Sequence, residues 1–257
     1  KTEISDGYTF EENEKESTIS AMTQMYILED HMSEYDVTLT EEELAKIEKA
    51  ATDFVAENTE EASKLVSGDV EIIKEVLKMC KISVKMFDAI VADVSTEVSD
   101  EEAAQKRLAY LGFTETDNVT LEMAKEEAEL FLKDAKEKGD LLKLAEEQQA
   151  PAHEYTFDSK TTDISKEIVE AADKLKEGEF AEIVESNGIY YVVQLISEFD
   201  KEATEAKKAE IVSTRQNDEF QKVYEPWQKA TTIVIDDKVV ADISLHGLKV
   251  TPKKEEK

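Results

Sequence analysis

The sequence predicts an α+β protein in which a helical domain built from both chain ends carries an inserted mixed α/β domain. Three observations lead there. Amphipathic helical patterns fill the first hundred residues and return after residue 200. Between them lie short β-branched and aromatic runs, the strongest being IYYVVQLISEF (189–199). The outer helical segments each carry an apolar face that needs a partner, and they most economically supply one another. The expected division is 1–104 for the N-terminal part of the helical domain and 105–199 for the inserted domain. A C-terminal helix and strands at 200–245 complete the helical domain, and a loose tail follows at 246–257.

Each element has a local cause. STISAMTQMYILEDHM (17–32) spaces Ile19, Met22, Met25 or Tyr26, and Met32 as a helix, with Ser17 or Thr18 as cap. TLTEEELAKIEKAATDFVAEN (38–58) opens on the capping box Thr40/Glu43 and carries the stripe Leu44, Ile47, Ala51, Phe54 and Val55. TEEASKLVSG (59–68) reads as a short helix stopped at Gly68. DVEIIKEVLKMCKISVKMFDAIVADV (69–94) starts at an Asp cap, and the lone cysteine, Cys80, falls on its apolar pattern with Ile73, Val76, Val84 and Phe87, as a core thiol would. Ser99 and Glu102 begin another short helix. RLAYLGF (107–113) and HEYTFDS (153–159) read as strands, TLEMAKEEAELFLKDAKEKGD (120–140) and LLKLAEEQQAP (141–151) as helices. DISKEIVEAADKLKEGE (163–179) is a helix closed near Gly178, FAEIVES (180–186) an imperfect strand, and SNG (186–188) a turn into the final long strand. A long helix over 201–230 precedes TTIVIDDKVVADISL (231–245), which reads as strand, Asp-Asp turn and strand.

Composition excludes several classes. With 31 basic and 61 acidic residues the net charge is −30, which repels nucleic-acid phosphate and anionic lipid. The acidity fits a solvated surface or one that attracts basic clients. No run approaches a membrane span, and no signal-peptide core lies near Lys1, as expected of a trimmed mature chain. The seven glycines form no phosphate loop, there is no acidic calcium loop, and no nucleophile motif of a hydrolase appears. His31 beside Asp30 and Glu34 does not match a metal-ligand spacing and reads as a solvated face. No cofactor or metal is expected.

Three stretches together resemble the extracytoplasmic parvulin-type foldases, the PrsA- and SurA-like prolyl-isomerase chaperones: VSDEEAAQKRL (98–108), IVEAADKLKEGEFAEIVESNGIYYVVQL (168–195), and FQKVYEPWQKATTIVIDDKVV (220–240). The resemblance implies a helical chaperone domain around a parvulin-like domain. It further implies unfolded or extended secreted polypeptides as partners, and a place in the cell envelope. In Gram-positive relatives it implies a lipid anchor on a cysteine preceding the mature sequence, which is absent from this chain. The departures are as informative. Active members of the family carry a histidine in the first and in the last central strand. Here the histidines are His31, His153 and His246, so neither strand has one, and the last strand offers Tyr191, or Tyr190 in a register shifted by one. Lys166, Ile168 and Val169 stand where the family's Met and Phe pocket belongs, and EEQQAPAHEY replaces its glycine-rich loop.

The expected function is therefore a foldase or holdase whose parvulin-like domain lacks efficient isomerase activity. Two alternatives stand beside it: an isomerase with a rebuilt site, or a dedicated envelope interaction protein. Isomerisation requires rotation about a C–N bond, not a nucleophile, so Tyr110, His153 and Tyr191 are the candidate catalytic cleft. Met22, Met25, Met32, Ile168 and Val169 are the candidate client-binding residues. The methionines read either as core or as an adaptable cradle for clients.

Overall fold

The computed structural model describes residues 3–5, 8–58 and 68–245. The helix expected over 59–67 and the tail from 246, with His246, lie outside the described residues. The chain forms two compact units, one of Lys1–Val94 with Gln216–Lys257 and the other of Ser95–Arg215.

In the first unit a two-stranded antiparallel pair, β1 (Glu3–Ser5) and β2 (Tyr8–Thr9), leads into α1 (Phe10–Asp30). α1 begins earlier than the Ser17 or Thr18 cap predicts. The start is set by Thr9 and Glu12: Thr9 N donates to Glu12 Oε2 at 2.7 Å and Glu12 N to Thr9 Oγ1 at 3.3 Å. A 3₁₀ turn, Met32–Tyr35, follows. α2 (Glu41–Glu57) starts at the predicted Thr40/Glu43 box and α3 (Val70–Ile90) at Asp69. Ile27, Leu28, Val37, Ile82, Met86, Ile90 and Val91 form the core with Phe220 and Tyr224 of α8 (Lys201–Ala230).

Glu43 also joins helices. Lys85 Nζ donates to its Oε2 at 2.8 Å and Lys81 Nζ lies 3.4 Å from its Oε1. The Lys85 ammonium first, then the Thr40 amide, hold the Glu43 carboxyl down at about 2.

Two expectations fail in this unit. Cys80 is exposed, not core. The apolar residues of α3 occupy more than one face, and the buried arc is Met79, Ile82, Met86 and Ile90, whereas Ile72, Val76 and Val84 point outward at 53%, 48% and 55% exposure. Residues 231–245 contain no strand. α9 (Asp237–Asp242) forms instead, because Asp236 Oδ1 accepts from Lys238 N at 3.0 Å and Val239 N at 3.3 Å. The β-branched Ile233–Ile235 run meets no sheet edge, and Val234 is 88% exposed.

The second unit holds a four-stranded antiparallel sheet in the order β4-β3-β6-β5, from β3 (Lys106–Thr114), β4 (His153–Phe157), β5 (Val184–Ser186) and β6 (Ile189–Ser197). α4 (Asp100–Ala103) precedes it, capped by Ser99. α5 (Leu121–Lys138) and α6 (Leu141–Gln148) cover one face, packing Ala124, Ala128, Phe131, Leu141 and Leu144 on Ala109, Leu111, Tyr190 and Val192. α7 (Lys166–Ala172) covers the other, setting Ile168, Val169 and Ala172 on Leu108, Phe157, Val193 and Leu195. α7 is shorter than the predicted 163–179 helix. Gly178 N donates to Leu195 O at 2.8 Å and Leu195 N to Glu179 O at 3.0 Å, which draws the chain into the sheet. The SNG turn is as predicted: Asn187 and Gly188 take φ 52° and 75°, the signature of a type I′ hairpin.

The side chain of Gln194 joins these layers. Its Oε1 accepts from Leu141 N at 2.9 Å, and its Nε2 donates to Gly139 O at 3.1 Å and Gly178 O at 3.2 Å. Just past the C-terminal end of β6, Asp200 Oδ1 accepts from Ala203 N at 3.0 Å and so caps α8. Its Oδ2 lies 2.9 Å from Arg107 Nε.

Gln194→Leu should fit the space and strand these backbone groups, costing roughly 2–3 kcal/mol. Urea unfolding followed by amide exchange of β6 measures it. A Glu43→Gln comparison tests the other unit. A folded carboxyl held at about 2 against an ordinary 4.5 stabilises above 4.5, and that contribution is lost as pH falls toward 2. The difference in melting temperature between wild type and variant should therefore shrink over that window.

Candidate functional site

The candidate catalytic residues do come together. Antiparallel register places Tyr110 opposite His153 on one side and Val193 on the other, and Gly112 opposite Tyr191. Directly paired residues share a face, so Tyr110, His153 and Tyr191 all stand on the α7 side of the sheet. The Tyr110 and His153 ring centres are 5.5 Å apart, tilted by 37°. Tyr110 and Tyr191 meet edge to face at 6.0 Å and 62°. Gly112 leaves the room for this: a Cβ there would stand 3.0 Å from both Tyr191 Cε1 and Ile189 Cγ2.

Sequence reasoning missed one member of this face, Tyr155. Tyr155 lies two residues along β4 from His153, so strand alternation puts both on the same side, and its hydroxyl donates to Asp163. That hydrogen bond, together with burial and the Asp163 charge, pushes the Tyr155 phenol up to about 12. Burial first, and the neighbouring Tyr110, also raise Tyr191. A polar group flanks the rings at the start of α7. Ser165 Oγ lies 2.6 Å from Glu167 Oε2, Ser186 Oγ donates to the same oxygen at 3.0 Å, and the two hydroxyls are 2.9 Å apart. The Ser165 hydroxyl, the Glu167 amide and the Ser186 hydroxyl lower the Glu167 carboxyl below its ordinary range.

The candidate client-binding residues divide. Ile168 and Val169 belong to the core that α7 packs on the sheet, and Val169 also lines a cavity with Ile164, Lys166 and Glu170. They stand where the resemblance puts the family's Met and Phe pocket, and here they pack on Leu108, Phe157, Val193 and Leu195. Met22, Met25 and Met32 belong to the helical unit. Met22 is exposed, Met25 half-buried, and Met32 packs against the core. His31, read as a solvated residue, stacks on Trp227 with ring centres 4.0 Å apart and 7° between planes, while its Nδ1 lies 2.6 Å from Glu34 Oε1. Among the described residues no cluster of His, Cys, Asp and Glu is arranged to hold a metal ion, and no helix is long and apolar enough to cross a membrane.

The arrangement is a shallow aromatic platform with phenolic donors and flanking carboxylates. It can stack against proline rings and apolar side chains and can donate hydrogen bonds to a peptide carbonyl.

Residues 105–211 match the family described as PPIC-type PPIASE domain. The matched segment contains the four-stranded sheet, and helical segments lie on both sides of it in the sequence. Among solved structures it is similar to the foldase protein PrsA from Lactococcus lactis, at 18% identity over 88% of this chain and 86% of that one, with a TM-score of 0.40. It is similar to the peptidylprolyl isomerase PrsA from Bacillus cereus at 19% identity, covering 90% and 88%, TM-score 0.40. It is also similar to a SurA-like chaperone from Campylobacter jejuni at 11% identity, covering 84% and 86%, TM-score 0.34. No curated protein matches the chain significantly in sequence.

The Tyr155–Asp163 bond gives a titration test. A folded phenol held at about 12 favours the neutral form, so its stabilisation is complete below the ordinary value of 10 and is lost as pH rises through about 12. In Asp163→Asn the tyrosinate signal of this residue should move back toward 10 in a spectrophotometric titration compared with Tyr155→Phe.

Proposed function

We propose that this chain is an extracytoplasmic foldase or holdase that binds unfolded, extended polypeptides, and that its parvulin-type domain lacks efficient prolyl isomerase activity. The observation that carries the reading is the aromatic face. β3 and β6 form the central pair of the sheet, as in the family the sequence resembles, yet neither holds a histidine, and Tyr110 and Tyr191 occupy the site with His153 on the edge strand. Such a face keeps affinity for proline and apolar side chains while lacking the paired imidazoles that the resemblance ties to turnover. The uncovered arc of α3, with Ile72, Val76 and Val84 about half exposed, and the exposed Met22 support a second, sequence-tolerant contact with clients.

The mechanism is mass action. Covering a client's apolar segment lowers the concentration of free unfolded chain and so competes with aggregation. The net charge of −30 keeps the complex soluble and favours basic segments. Export and a lipid anchor preceding the chain follow from the family resemblance as part of this proposal. The rebuilt-isomerase reading is supported by the grouping of Tyr110, His153 and Tyr191, whose donors would serve a twisted imide carbonyl.

The deciding experiment measures the cis-to-trans rate of Ala-Pro peptides beside an active parvulin, and aggregation of an unfolded test protein in the same samples. The expected result is a background isomerisation rate with aggregation suppressed in proportion to chaperone. A clear acceleration lost in Tyr191→Phe would favour the rebuilt isomerase. Suppression restricted to one partner would favour the dedicated interaction protein.

A further inference from the structure

We propose that the outer edge of β4 receives an extended segment of a client polypeptide as a fifth strand of the sheet. This rests on the client-binding reading and specifies how a client is held. β4 is the terminal strand in the order β4-β3-β6-β5, and β3 is the one element it packs against extensively. All five of its residues pair with β3, from Lys106↔Phe157 to Tyr110↔His153. In an antiparallel ladder alternate residues direct both N–H and C=O away from the partner. Among the described residues, the outward groups of 153–157 meet no other strand, turn or side chain. The opposite edge, β5, is only Val184–Ser186 and closes into its turn.

Sheet edges are ordinarily blunted by lysine, proline or a bulge within the strand. HEYTF has none of these, and its pairing with β3 is regular. A row of unfilled donors and acceptors at strand spacing selects another extended backbone, whatever its sequence. The side chains then set a preference. A strand laid against β4 puts alternate residues beside His153 and Tyr155, continuing the aromatic platform of Tyr110, and the others beside Glu154 and Thr156. The segment that fits is an extended peptide alternating apolar with basic or polar residues. A second copy of this chain fits less well, since each brings a net charge of −30.

The test uses the full chain and a short peptide alternating valine and lysine. Two further versions are N-methylated at alternate backbone positions, one set complementary to the other. Fluorescence anisotropy gives affinities, and amide exchange locates protection. Strand addition predicts that one methylated peptide binds at least about tenfold more weakly than the parent while its complement binds nearly as well. It also predicts that the parent protects alternate amides of 153–157. Equal binding of all three peptides overturns the proposal, as does protection elsewhere. Protection of β4 that grows with protein concentration in the absence of peptide assigns the edge to a second copy and also overturns it. If the chain suppresses aggregation but a bound client leaves β4 unprotected, the strand proposal fails and the client-binding reading stands. If neither peptide nor unfolded protein binds, both fail.

Discussion

The sheet unit depends on one side-chain amide. Gln194 lies in β6, one of the two nine-residue central strands, buried among apolar neighbours, and spends its carbonyl and amide hydrogens on three backbone groups from two different connections. A buried amide is costly unless it is fully paired, and this one is paired only when α5, α6 and the turn at Gly178 are all in place. The interaction is therefore conditional on the fold it supports. It fixes α5 and α6 on one face. By tying the chain at 178 to β6, it also fixes where α7 must stop on the other. The aromatic platform stands on that second face, so the position of Tyr191 is set by a glutamine three residues further along the same strand and pointing the opposite way.

The platform is a consequence of registry more than of any individual residue. Tyr110 reaches Tyr191 because Gly112, opposite Tyr191, has no side chain to fill the gap. It reaches His153 because the β3–β4 pairing sets the two directly across from one another. What results is a surface that recognises shape and ring character and supplies hydroxyl donors, with acidic groups at its margin.

The sequence made the β unit legible because its signals were local and mutually consistent. The Asn187-Gly188 turn, the β-branched run behind it and the helical apolar period of 120–140 each named their own element. The three-ring cluster was also readable, since it needed only the strand pattern and the positions of the aromatic residues. Where the reading failed, the deciding partner was remote or absent. Cys80 shares a helical period with the core residues of α3, but which arc of a broadly apolar helix is buried depends on where α1, α2 and α8 lie. The run at 233–235 has strand propensity and no edge to join, so Asp236 started a helix turn instead. Tyr155 was overlooked because its importance comes from Asp163, eight residues away across a loop.

The stacking of His31, Tyr35 and Trp227 has an experimental consequence. Trp227 is the sole tryptophan of the chain, and its ring is held by two aromatic partners within the helical unit. Indole emission is thus a private channel for that unit and is silent about the sheet unit. An unfolding curve recorded by intrinsic fluorescence would report half of the molecule as though it were the whole, and only a probe placed in the sheet would reveal whether the two units melt together.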